Sequence, residues 1–121
     1  MKLKERSILK AFKHAFNGMY YFLLHERNGR IEIGIAVVTV GLALLMGVSI
    51  AEWIAILICI ALVISFEMVN SALEKLCDVV QEEYHPVIKT VKDMTAAAVL
   101  WCAIISVIVG VIIFLPKLVQ F

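Results

Sequence analysis

The residues with chemical potential lie near the middle of the chain, where Glu67-Met-Val-Asn70-Ser71-Ala-Leu-Glu74-Lys-Leu-Cys-Asp78 follows a long apolar run with no turn signal between them. At about 100° per helical residue, Glu67, Asn70, Ser71, Glu74 and Asp78 share one sector of roughly 100°. A rise of ~1.5 Å per residue spreads Glu67 to Asp78 over about 16 Å, with Glu67 deepest in the apolar sequence. A carboxylate at membrane depth is costly unless paired, neutralised or hydrated, so its default reading is functional. Taken singly, Glu67 also reads as a protonated packing residue, and Glu74 with Asp78 as a solvated helix end. Three acids and an asparagine on one face favour a site. Acids gathered this way repel one another, and Mg²⁺ relieves the repulsion by taking one or two carboxylates and completing its shell with phosphate oxygens and water. A metal–nucleotide is therefore the ligand to expect. Lys92-Asp93 would add a cation for phosphate and a polar partner, and Glu26 a further metal ligand. No G-x-x-x-x-G-K-[ST] loop, H-R-D or D-F-G occurs, which removes both familiar kinase frameworks.

The elements that must position these groups are read from apolar length. Residues 33–51 carry no charge and match the ~20 residues needed to cross a bilayer core. After Glu52, the uncharged run from Trp53 to Phe66 continues as helix to about Val80, longer than a bilayer requires, so this helix should project into water. A third apolar run begins near Met94 and reaches Leu115, with Pro116 as its expected stop. The spans are set at about 31–51, 53–80 and 92–115. Before them, Ile8, Phe12, Phe16, Met19 and Leu23 recur at helical spacing between Lys10, Lys13 and His14, the pattern of an amphipathic surface helix over about 4–25. Gly18 is its weak spot, and Asn28-Gly29 is the expected break before Ile31.

Charge placement orients the spans. Lys2, Lys4, Arg6, Lys10, Lys13, Arg27 and Arg30 precede the first span, the link around Gly47 to Glu52 has no Lys or Arg, and Lys89 and Lys92 follow the second. The positive-inside rule puts the N-terminus and the 81–93 segment in the cytoplasm and the C-terminus, with Lys117, outside. Among the 121 residues, 63% are hydrophobic and the mean hydropathy is +0.99, a membrane composition for a single domain over 1–121. A net charge of +1 gives no footprint for nucleic acid. Cys59, Cys77 and Cys102 have neither disulfide nor zinc spacing and read as packing residues. The N-terminus lacks a signal-peptide core.

The pattern Glu67-x-x-Asn70-Ser71-Ala72-x-Glu74-x-x-x-Asp78, with Glu83-Tyr84-His85, Lys92-Asp93-Met94-x-Ala96-Ala97-Ala98-Val99-Leu100 and Glu26-x-x-x-Arg30-x-Glu32, resembles the prokaryotic membrane-integral diacylglycerol kinase and undecaprenol kinase family over nearly the whole chain. The resemblance implies an all-α homotrimer of three-span protomers in the bacterial cytoplasmic membrane. Composite sites between subunits would move the γ-phosphoryl of ATP to a lipid alcohol. It implies Glu67 as general base toward the lipid hydroxyl, Asn70 ordering the reacting groups beside it, and Glu26 and Glu74 holding Mg²⁺ on the ATP phosphates. It places Glu26, Glu74, Asp78, Glu83, His85, Lys92 and Asp93 at the nucleotide, although His85 also reads as a loop histidine before Pro86. Ser7 departs from the arginine usual in the diacylglycerol kinases, so no nucleotide role transfers to it. Ala96-Ala97-Ala98 suits close helix approach in a trimer.

The His85-Pro86 junction and the C-terminal Val-Ile-Val-Gly-Val-Ile-Ile-Phe-Leu-Pro-Lys look more like the undecaprenol kinases, with diacylglycerol the alternative acceptor. A transporter or channel subunit would also place acids in a membrane. It would need polar groups through the membrane depth, where the first span and the outer half of the second have none. A purely structural module gives no reason for a metal-like face.

Overall fold

The computed structural model describes residues 2–80 and 83–120, with side chains from Ser7 onward. The side chains of Lys2, Lys4 and Arg6, counted among the N-terminal basic charges, and the loop residues Gln81 and Glu82 lie outside the described residues. Four α-helices run in order: α1 (Lys2–His25), α2 (Arg27–Met46), α3 (Ile50–Val80) and α4 (Pro86–Val119). The last three are long and apolar enough to cross a bilayer. The expected all-helical membrane architecture is thus present. α2, with 20 residues, is about 30 Å long at ~1.5 Å per residue, close to the ~30 Å hydrocarbon core. α3, with 31 residues, is about 46 Å long at the same rise. Its surplus takes Glu74 and Asp78 beyond the first ~30 Å of the helix, while Glu67 stays within it.

The expected tight turn between α2 and α3 falls earlier than the boundary set near residue 51, at Gly47–Ser49. α2 ends at Met46 because Gly47 adopts a left-handed conformation (φ 62°, ψ 50°), and the cap amide donates to the Ala43 carbonyl. Glycine enters that region without a Cβ penalty. Ser49 and Glu52 then start α3 with a reciprocal capping box: the Ser49 amide donates to Glu52 Oε1 at 2.9 Å and the Glu52 amide to Ser49 Oγ at 3.2 Å. Ile50 and Ala51, assigned above to the first span, therefore belong to α3.

Two further boundaries differ from expectation. The break before the first span falls at Glu26 and not at Asn28-Gly29, which are helical. Gly29 is needed for packing: a Cβ there would collide with the Phe22 ring, which is buried against it. Gly18 leaves α1 unbroken. Pro116 does not stop α4, which runs on to Val119. A proline this near a C-terminus deprives only one carbonyl of its helical partner, and Lys117 anchors the final turn by bridging to Glu52 at 3.0 Å.

α4 makes its most extensive contact with α3, α2 lies against α3, and α1 touches α2 at the elbow. Ala43, Val48, Ile56 and Ile113 form a small buried cluster near the outer end, flanked by Trp53, Val109 and Phe114. Most large apolar side chains, Leu45, Val38, Trp101 and Ile112 among them, face outward. Such a surface is the solvent-facing side of a protein whose solvent is lipid.

Candidate functional site

The α2–α3 hairpin fixes what meets what. Glu67 and Asn28 lie at nearly equal distances from the Gly47–Ser49 turn, about 26 Å at ~1.5 Å per residue, so the deepest acid of α3 is brought level with the start of α2. The Asn28 side chain and the Glu26 and Glu74 carboxylates are the polar neighbours of Glu67. Glu32, one turn further along α2 than Asn28, is near enough to Glu67 for their charges to interact. Glu67, Asn70 and Ser71 are the buried polar residues among those described, at 5%, 8% and 6% exposure. Burial without full pairing is uncommon for polar groups. Here Asn70 Nδ2 donates a long 3.4 Å bond to Glu74 Oε1, while Asn70 Oδ1 and Glu32 Oε2 are buried with no partner.

Glu26 reaches this face through an unusual cap. It occupies the N-cap position of α2 in extended conformation (φ −110°, ψ 108°), yet its side chain makes no capping bond. The carboxylate turns instead to Lys75 Nζ at 3.0 Å. The elbow is held by other means: Arg30 Nη1 donates to the Leu23 and Leu24 carbonyls at 3.0 and 2.9 Å, satisfying the end of α1.

The remaining expected residues gather more loosely at the inner ends of α3 and α4. Lys92 Nζ donates to Asp78 Oδ1 at 2.7 Å, tying the two helices together, and Lys89 Nζ donates to Asp93 Oδ2 at 2.6 Å. His85 caps α4, its Nδ1 accepting from the Val87 amide at 3.2 Å, so the loop-histidine alternative has a definite structural content. Glu83 is exposed in the connecting loop. Glu67, Asn70, Glu74 and Glu26 thus form one group, and Asp78, Lys92, Asp93, His85 and Glu83 a second, more exposed rim.

Among the described residues no three His, Cys, Asp or Glu side chains converge closely enough to chelate a metal by themselves. Mg²⁺ asks less than that, since one or two carboxylates suffice when phosphates and water complete its shell. The Glu74 carboxylate beside the unpartnered Asn70 carbonyl oxygen is compatible with such a partial shell. Glu32 and Asn28 were not singled out from sequence as site residues. Their signal was a polar pair four residues apart, hence on one face, at the head of an otherwise apolar helix. From them a groove of about 490 Å³ opens between α2, α3 and α4, apolar along Ile35, Ile60 and Val107 toward Phe114.

Known proteins match the chain over most of its length. The family model described as prokaryotic diacylglycerol kinase matches residues 13–114. The chain is 38% identical to the undecaprenol kinase of Bacillus subtilis (strain 168) over 90% of its own length and 89% of that protein. It is 36% identical to the diacylglycerol kinase of Synechocystis sp. over 93% of its length, spanning 65% of that longer relative. It is 32% identical to the diacylglycerol kinase of Escherichia coli (strain K12) over 84% and 83% of the two chains. With three helices fit to span a membrane and a family match that includes both polar groups, the chain belongs to the prokaryotic diacylglycerol kinase family of membrane lipid kinases.

Proposed function

We propose that this protein transfers the γ-phosphoryl group of ATP to the hydroxyl of undecaprenol at the cytoplasmic face of the bacterial inner membrane, working as a homotrimer folded as one domain with its N-terminus inside. The observation that carries this reading is the buried face of Glu67, Asn70 and Ser71, with Asn70 Oδ1 unpartnered, level with the head of α2, where Asn28 and Glu32 form the polar end of an apolar groove. An amphiphile with a hydroxyl head and a long apolar chain suits that polarity pattern.

Glu67 accepts the hydroxyl proton as the lipid oxygen bonds to the γ-phosphorus and the bond from that phosphorus to the β–γ bridging oxygen breaks, leaving ADP. Asn70, one helical turn along, holds the reacting groups in register with Glu67. Glu26 and Glu74 would hold Mg²⁺, which supplies neutralising charge for the phosphoryl oxygens. Lys92, with Asp78, Asp93, His85 and Glu83 around it, faces the nucleotide from the inner rim. The rim residues are charged and exposed, as an entry for a highly charged ligand requires.

Diacylglycerol is the second acceptor to consider, because relatives with that name match at comparable identity. Purified protein in lipid micelles, given γ-labelled ATP and both alcohols with and without Mg²⁺, separates the two. Preferential label in polyprenyl phosphate supports the proposal, and preferential label in phosphatidate replaces undecaprenol by diacylglycerol. No Mg²⁺-dependent transfer to either from folded protein refutes the proposed reaction.

A further inference from the structure

Lys75 stands at the edge of the acidic face. At about 100° per residue it lies roughly 80° around α3 from Glu67, one step beyond Ser71. Its ammonium rests 3.0 Å from Glu26 Oε1 and 5.3 Å from the centre of the Tyr21 ring. Tyr21 in turn packs on His25, with ring centroids 4.3 Å apart. The lysine side chain is about half exposed (51%) and the Glu26 carboxylate much less so (22%). Lys92 and Lys89, the other described lysines near the inner ends of α3 and α4, are engaged with Asp78 and Asp93. Lys75 is therefore the ammonium held on a carboxylate of the proposed metal pair.

An ammonium and a divalent cation cannot share that oxygen comfortably. A Mg²⁺ ligand oxygen sits about 2.1 Å from the ion, which would bring two cations to within a few ångströms of each other. The chain offers the lysine a way out, because a half-exposed four-carbon stem swings into water at little cost. It also needs a counter-ion when no metal is bound, since Glu26 shares its surroundings with Glu67 and Glu74.

We infer that Lys75 is the resting counter-ion of Glu26, displaced when a divalent cation binds, so that it sets the metal concentration at which the site fills. This inference rests on the metal role proposed for Glu26. It predicts that removing the ammonium tightens metal binding, whereas loss of a merely structural tie between the elbow and α3 would leave affinity unchanged or weaken it.

The test is a titration of nucleotide-free, full-length protein in lipid micelles with Mn²⁺, reading free ion by electron paramagnetic resonance. Lys75→Met should bind Mn²⁺ about threefold more tightly, the scale set by an exposed ion pair, and Lys75→Arg should return the affinity toward wild type. Lys75→Gln repeats the measurement should the methionine variant fail to assemble. Unchanged or weaker binding in the neutral variants overturns the inference. Glu26→Gln separates the two levels. If it abolishes the tight site while Lys75→Met gains nothing, the counter-ion role alone falls; if it leaves Mn²⁺ binding intact, the metal role of Glu26 falls with it.

Discussion

The two ends of the helical hairpin use the same kinds of residue to opposite effect. At the outer end Ser49, Glu52 and Lys117 answer one another: Ser49 and Glu52 cap α3 reciprocally, and Lys117 reaches both Glu52 oxygens at 3.0 and 3.1 Å, closing α4 onto the turn. At the inner end the polar groups lie deeper and are answered less. Glu67, Asn70 and Ser71 are buried, and Asn70 Oδ1 and Glu32 Oε2 have no partner. A half-satisfied buried network is a poor way to stabilise a fold. The outer cluster can be explained by the fold alone; the inner one calls for a ligand.

The sharpest way to break this contrast is Glu67→Gln. Loss of a general base lowers turnover by about 10²–10⁴-fold, and assembly should be untouched because the amide fills the same space. Steady-state transfer alongside size-exclusion of the detergent-solubilised protein reads both; wild-type turnover would reduce Glu67 to a packing residue. Next in size is Glu74→Gln, expected to raise the Mg²⁺ concentration needed for half-maximal transfer by about tenfold, the lower end for disturbing a metal site. A fall in maximal rate with no change in metal requirement would put Glu74 outside the metal's reach.

The polar face of α3 was legible because helical periodicity is strict: one apolar run followed by acids at three- and four-residue steps leaves little freedom in where the side chains point. Span number followed from apolar length in the same way. What could not be read were positions where a residue's reputation opposes its use. Asn28-Gly29 looks like a break, but the glycine makes room for Phe22 and the asparagine faces Glu67. Pro116 looks like a stop, but the helix loses only one bond to it and is anchored beyond. The Glu26 pairing with Lys75 on α3, and the Arg30 bonds to the α1 carbonyls that hold the elbow, have no counterpart in local sequence. Pairings that depend on another helix leave no trace in local spacing.

The elbow that joins α1 to this site gives an intermediate test. Gly29→Ala places a methyl group against the Phe22 ring, an overpacking expected to cost about 1–3 kcal/mol. Phe22→Leu in the same chain should recover part of it by vacating the space. Thermal unfolding of the two variants checks the pair, and equal midpoints for Gly29→Ala and wild type would show that the ring moves aside freely.

The smallest effect belongs to the outer end. Lys117→Met removes a cation whose partner is already engaged by the Ser49 amide, so the α3 cap survives and only the clasp between α3 and α4 is lost. A single ion pair at the protein surface contributes little, and the thermal midpoint should fall by only about 2 °C. Transfer rate and metal requirement should be those of wild type, because the substitution lies the length of the hairpin away from Glu67. A large loss of activity with a small loss of stability would mean that the outer clasp sets the register in which α3 presents its acids, and the two ends could then no longer be treated as separate devices.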